Sequence, residues 1–104
     1  MSPNLNKNKE FIKLLLTTDP RQARALLSTI TSKQVEAIVE IAYNLLRIAN
    51  SKSDRTVLNK RRSLLKKLIN KKISVGKTKK LIVLHKLAIL KTLWHFKRVL
   101  LQVV

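Results

Sequence analysis

The stretch TSKQVEAIVEIAYNLLRIA (residues 31–49) decides the fold. Thr31 followed three residues later by Gln34 is a reciprocal capping pair, a helix-start signal. Val35, Ile38, Val39, Ala42, Leu45, Leu46 and Ala49 then recur at helical spacing as a broad apolar stripe. Glu36, Glu40, Asn44 and Arg47 collect on the other side. That pattern predicts a half-buried helix over about 32–49, around which the rest of the chain can pack.

Working toward the N-terminus, TTDPRQARALLSTI (17–30) repeats the device. Asp19 is placed to cap, Pro20 suits the first helical position, and Gln22 has the capping-box spacing. Ala23, Leu26, Leu27 and Ile30 follow on one face. An earlier short helix is expected over about 5–17, with Phe11, Ile12, Leu15 and Leu16 turned inward. Working toward the C-terminus, NSKSD (50–54) reads as a polar turn with Asp54 capping a helix of about 55–70. Its apolar residues are Leu58, Leu65, Leu68 and Ile69, with Lys60, Lys67 and Lys71 across from them. KKISVGK (71–77) breaks that helix, and Ser74 caps a last one expected to run from about 75 to 102. Strand-type alternation never persists, and one Gly and two Pro leave few breaks.

The expected fold is therefore all-α, a small bundle of four to five helices with the last one long and strongly apolar. At 104 residues it makes one domain overall, with a near-neutral helical part (1–52) followed by a basic helical part (53–104). On that last helix Lys77, Lys80, Lys91, His95, Arg98 and Gln102 share a narrow sector, and nearly everything else is apolar. Such a helix is buried by several partners, by another chain or by lipid. Lys86, Lys91, Lys97 and Arg98 make spanning a bilayer costly, about 2.5–3.5 kcal/mol per mid-membrane charge. Leu90, Leu93, Trp94, Phe96 and Leu100 are its candidate membrane or partner contacts.

Charge is the outlying property. The chain has 23 basic and 5 acidic residues, a net +18. All five acids lie in the first 54 residues, where eight basic residues leave +3, and fifteen basic residues follow with no acid. Self-repulsion on that scale calls for a polyanionic partner. The densest run, KRRSLLKKLINKKISVGKTKK (60–80), has ten Lys or Arg in twenty-one positions. Lys60, Arg61, Arg62, Lys66, Lys67, Lys71, Lys72, Lys77, Lys79 and Lys80 are the candidate phosphate contacts. Lys-rich charge suits phosphate rather than base edges. Residues 44–93 contain no aromatic side chain on which bases could stack.

Other chemistry finds little support. VGKT (75–78) ends like a phosphate-binding P-loop, but Lys71 stands where the pattern needs its first Gly, and no apolar strand precedes it. His85 and His95 lie ten apart, with no carboxylate after Asp54, so no metal site is expected. Glu36 and Glu40 sit on the solvated helix face, and the two Asp are read as caps rather than as members of a catalytic triad. The absence of Cys excludes disulfides, thiolate metal sites and a Cys nucleophile. No enzyme activity and no cofactor are expected. MSPNLNKNKE (1–10) has no signal-peptide-type apolar stretch, which predicts a protein that is not secreted.

Three segments also resemble a known family. Arg21, Gln22, Ala25, Leu26, Leu27, Thr29, Thr31 and Gln34 follow its pattern R-Q-x-x-A-L-L-x-T-x-T-x-x-Q. EIAYNLL (40–46) comes next, and then Lys71, Lys72, Ser74, Lys77, Lys79, Lys80, Leu81, Ile82 and Val83 within its basic segment. Over about residues 10–83 the chain is similar to the small basic protein of Maverick/Polinton-type elements and adintoviruses, copies of which are integrated in invertebrate genomes. The resemblance implies a virion- or genome-associated protein comparable to the small core proteins of adenoviruses. Family copies continue into a Gly-Gly-containing hydrophobic tail, whereas this chain has no Gly after Gly76.

The leading expectation is a basic helical protein that binds DNA non-specifically through phosphates and packages or condenses a genome, in the nucleus or in a virion. One rival is a peripheral membrane protein using the basic run and the 81–104 helix on an anionic bilayer. Another is an oligomeric scaffold assembled through that helix.

Overall fold

Short-range capping chemistry sets the helix starts. In the computed structural model, which describes residues 8–47 and 52–103, Asp19 accepts from the Gln22 N–H at 3.0 Å, with Pro20 in the first turn. Thr31 Oγ1 accepts from the Gln34 N–H at 3.2 Å while Gln34 Oε1 accepts from the Thr31 N–H at 2.9 Å. Ser74 Oγ accepts from the Lys77 N–H at 3.2 Å. Each bond satisfies a donor that the first helical turn would otherwise leave orphaned.

Among the described residues the chain forms seven helices and no strand. They are α1 (Lys9–Thr17), α2 (Pro20–Ser28), α3 (Ser32–Arg47), α4 (Lys52–Leu68), α5 (Val75–Leu84), α6 (Lys86–His95) and α7 (Lys97–Val103). The all-α expectation holds, and the count exceeds the four or five foreseen. Residues 5–7 of the first predicted helix, Ala49 of the apolar stripe and residues 50–51 of the predicted turn lie outside the described residues.

Two expectations need correction. Asp54 is not the N-cap residue of the fourth helix, because Lys52 and Asp54 are already inside α4. The single long helix of 75–102 is replaced by α5, α6 and α7, with bends at His85 (φ −108°, ψ 25°) and Phe96 (φ −97°, ψ 15°). Length explains the bends. A straight helix over 75–103 would measure about 43 Å, whereas the molecule extends 33 Å along its longest axis. The inward stripe of Thr78, Ile82, Ile89, Leu93, Phe96 and Leu100, all buried, keeps to the core only if the helix curves around it. The backbone ladder survives the turn at His85, whose N–H donates to Leu81 O at 2.9 Å and whose carbonyl accepts from Ile89 at 3.0 Å.

One hydrophobic cluster joins the two parts of the chain. α3 packs on α4 and α5, and α6 touches α1, α2, α4, α5 and α7. α6 is therefore a second centre of the bundle beside the predicted 32–49 helix. On α3 the buried side comprises Val35, Ala37, Ile38, Ile41, Ala42 and Leu45, while Val39 and Leu46 are half-buried at its margin. The buried face is rotated slightly from the predicted stripe because α4 and α5 lie to one side of it. Where α3, α4 and α6 meet, Ile38, Ile41, Leu65, Leu68, Ile89 and Leu93 border an apolar gap of about 10 Å³, no larger than one water.

Polar ties cross the bundle as well. Lys86 Nζ donates to Ser28 Oγ at 3.0 Å, holding the start of α6 to the end of α2. Trp94 Nε1 donates to the Leu15 carbonyl at 2.9 Å. That carbonyl lies in the last turn of α1, where helix acceptors have no intrahelical donor. Replacing Trp94 by Phe removes the donor and trims the half-buried ring, so it should cost at least about 1 kcal/mol. Urea unfolding followed by circular dichroism measures it, and an unchanged midpoint would mean that the bond contributes nothing.

Candidate nucleic-acid interface

The basic run folds as two helices joined by a short turn. α4 ends where Ile69 N–H still reaches Leu65 O (3.2 Å) and Asn70 N–H reaches Lys67 O (3.3 Å). Asn70 Oδ1 then accepts from the Lys72 N–H at 3.0 Å, and the Ile73 N–H donates to Asn70 O at 3.4 Å. An Asn side chain that bonds two residues onward turns the chain without Gly. Ser74 caps α5, so the reversal is built from Asn70 and Ser74.

Leu58, Leu65 and Leu68 bury the inner side of α4, and Ile82 and Thr78 that of α5. The charges are left outward. Lys60, Arg62, Lys66, Lys67, Lys71, Lys72, Lys77 and Lys80 are exposed, and Arg61 and Lys79 are half-buried. None of the ten forms an ion pair among the described residues. Arg62 Nη2 donates to Asn59 Oδ1 at 3.2 Å, a contact that orients the guanidinium without neutralising it. Like charges one turn apart, such as Arg62 with Lys66, each weaken an isolated helix by about 0.2–0.5 kcal/mol. The arrangement is stable only because the leucines beneath it are packed, and a polyanion would relieve it.

Arg61 departs from the others. It falls on the inward line of α4 between Leu58 and Leu65, and it borders a shallow groove with Leu84, His85, Leu87, Ala88 and Lys91. Periodicity would have shown this, because Leu58, Arg61, Leu65 and Leu68 repeat at helical spacing.

The candidate membrane or partner contacts lie mostly inside the bundle, the core among the destinations open to such a helix. Leu90 (0%), Leu93 (3%), Phe96 (2%) and Leu100 (6%) are buried in the chain's own core. Trp94 is half-buried with its indole N–H engaged by Leu15. These side chains are withdrawn because the bends let α6 and α7 turn their apolar width onto α1, α2 and α4. Among the described residues no helix is long and apolar enough to cross a membrane.

The remaining motifs are structural. Val75–Thr78 is the first turn of α5, preceded by a turn rather than a strand, and Thr78 is buried with its hydroxyl donating to Ser74 O at 3.1 Å. His95, expected to lack an orienting carboxylate, has one: its Nε2 lies 2.9 Å from Asp54 Oδ1 across forty-one positions of sequence. No spacing rule could have found that pair, which exists because α4 and α6 cross. Among the described residues no three His, Asp or Glu side chains come together as a metal site.

Comparison with family models, curated proteins and solved structures finds no match to this chain.

Proposed function

We propose that this is a non-enzymatic basic protein that binds DNA through its phosphates without reading sequence, in the packaging or condensation of a viral-type genome in the nucleus or a virion. The observation that carries the reading is the α4–turn–α5 unit: ten Lys and Arg on a packed scaffold, eight of them exposed, with no ion pair among the described residues. Lys without aromatic neighbours favours backbone contact over base stacking. The resemblance to the Maverick/Polinton and adintovirus basic protein supports the genome-associated role. The bilayer and oligomer readings both relied on an exposed apolar last helix, and burial of Leu90, Leu93, Phe96 and Leu100 removes most of that surface.

A salt titration tests it. With six to ten phosphate contacts, log affinity for a random-sequence duplex should fall with log salt at a slope of about −5 to −9. A slope near −1, or strong preference for one sequence, would overturn the proposal.

A further inference from the structure

The outward sector of α5 and α6 is not uniformly polar. Lys77, Lys80 and Lys91 occupy it, but so do Leu84 and Leu87, between Lys80 and Lys91 and astride the bend at His85. Leu84 is 75% exposed, the most exposed large apolar side chain among the described residues, and Leu87 is 45% exposed. Leu84 also joins two shallow grooves. One is lined by Ile73, Lys77, Lys80 and Leu81, and the other by Arg61, His85, Leu87, Ala88 and Lys91. Neither groove contains a carboxylate.

Single exposed leucines need no explanation. Two at the apex of a bend, ringed by cations, form a shaped feature. We infer that Leu84 and Leu87 are an apolar wedge that enters the minor groove of the bound duplex and bends it. This inference rests on the phosphate-binding reading. Minor-groove proteins insert Leu or similar side chains at a base step, partly unstack it, and bend the duplex by about 20–90°.

The spacing suits that occupant. Lys80 precedes Leu84 by four residues and Lys91 follows Leu87 by four, so each cation stands about 6 Å along the helix from its leucine. A groove about 6 Å wide has a phosphate strand on either side, and one lysine would meet each while the leucines enter between them. Arg61 adds a third cation beside Leu87. An anionic bilayer fits less well. The rest of the apolar surface of α6 is turned into the core, and no Trp or Tyr lines either groove to anchor at headgroup depth.

The test uses the full chain and a 30-base-pair duplex carrying a donor and an acceptor dye at its ends. Binding should raise transfer efficiency, and the doubly substituted L84A/L87A chain should bind with its salt slope within about one unit of wild type but leave the duplex straight. Circular dichroism checks that both chains are equally folded. Wild-type binding without bending, or equal bending by the double variant, overturns the wedge and leaves the phosphate reading intact. Absence of DNA binding at low salt overturns both. Phosphatidylserine-containing vesicles serve as the second arm: capture that depends on Leu84 and Leu87, with no bending of DNA, would assign the pair to lipid and overturn the inference.

Discussion

Leu90→Ala should destabilise the chain by about 3–4 kcal/mol. Leu90 is fully buried, with 0% exposure, on a helix that packs against α1, α2, α4, α5 and α7. Truncating a core Leu loses its transfer energy and leaves a cavity that neighbours only partly fill, for a total of about 2–5 kcal/mol. A helix clamped from several sides collapses poorly, which puts this site in the upper part of that range. Since small domains have about 5–15 kcal/mol in all, the loss should be large on any unfolding curve. The urea midpoint should fall with an unchanged slope. Leu84→Ala, at an exposed position, should change stability by no more than about 0.5 kcal/mol. The pair of variants, one at the end of α5 and one in α6, separates two accounts of this C-terminal part. If Leu90 faced lipid or a second chain, its truncation would leave the isolated protein as stable as before. Both proteins must be compared at one salt concentration, because a net charge of +18 makes stability depend on screening.

The second large effect is on binding. Replacing Arg62, Lys66, Lys72 and Lys80 together by Gln should reduce the salt slope by about 3 to 4 and weaken DNA binding at 0.15 M salt by about a thousandfold. These four are exposed and lie on α4, the turn and α5, so the substitution thins the whole surface without touching the core. Arg61 and Lys79 are left in place because their half-buried stems contribute packing as well as charge. Removing four like charges also relieves repulsion, so the variant should unfold no more readily than the parent. Fluorescence anisotropy with a labelled duplex at several salt concentrations measures both slope and affinity. A variant that binds as tightly as wild type would show that the phosphates are met elsewhere, with Lys86, Lys97 and Arg98 the next residues to examine.

Much of the fold was readable because it rests on neighbours in sequence. Asp19 with Gln22, Thr31 with Gln34, and Ser74 with Lys77 are contacts three residues apart, and a helix start needs nothing more distant. The inward residues of α1 and most of those of α3 followed from spacing alone. The run of charge was also legible: eight of its ten Lys and Arg are exposed, while Arg61 and Lys79 are half-buried.

Local spacing is silent where distance or curvature matters. A wheel drawn for one straight helix places Lys80, Leu84, Leu87 and Lys91 on a common outer sector, and that part survives the bends. It cannot show that the core is too small for the helix to remain straight. The polar turn before Asp54 suggests an N-cap there, yet α4 starts earlier, and the Asp54 carboxylate meets His95 across the bundle.

Sequence by itself determined that the chain is helical, where α2, α3 and α5 begin, which residues of α1 and most of those of α3 face inward, and that its C-terminal half carries unbalanced positive charge. Those properties depend on backbone capping and on residues within two turns of one another. Only the tertiary structure decided that the last helix bends twice, that Leu90, Leu93, Phe96 and Leu100 serve the chain's own core, and that Leu84 and Leu87 are left uncovered by any other helix. The physical reason is that an apolar residue has no intrinsic destination. Whether it is buried depends on the shape of the surface its neighbours offer, and here a core shorter than the helix forced the bends that let Leu90, Leu93, Phe96 and Leu100 reach it.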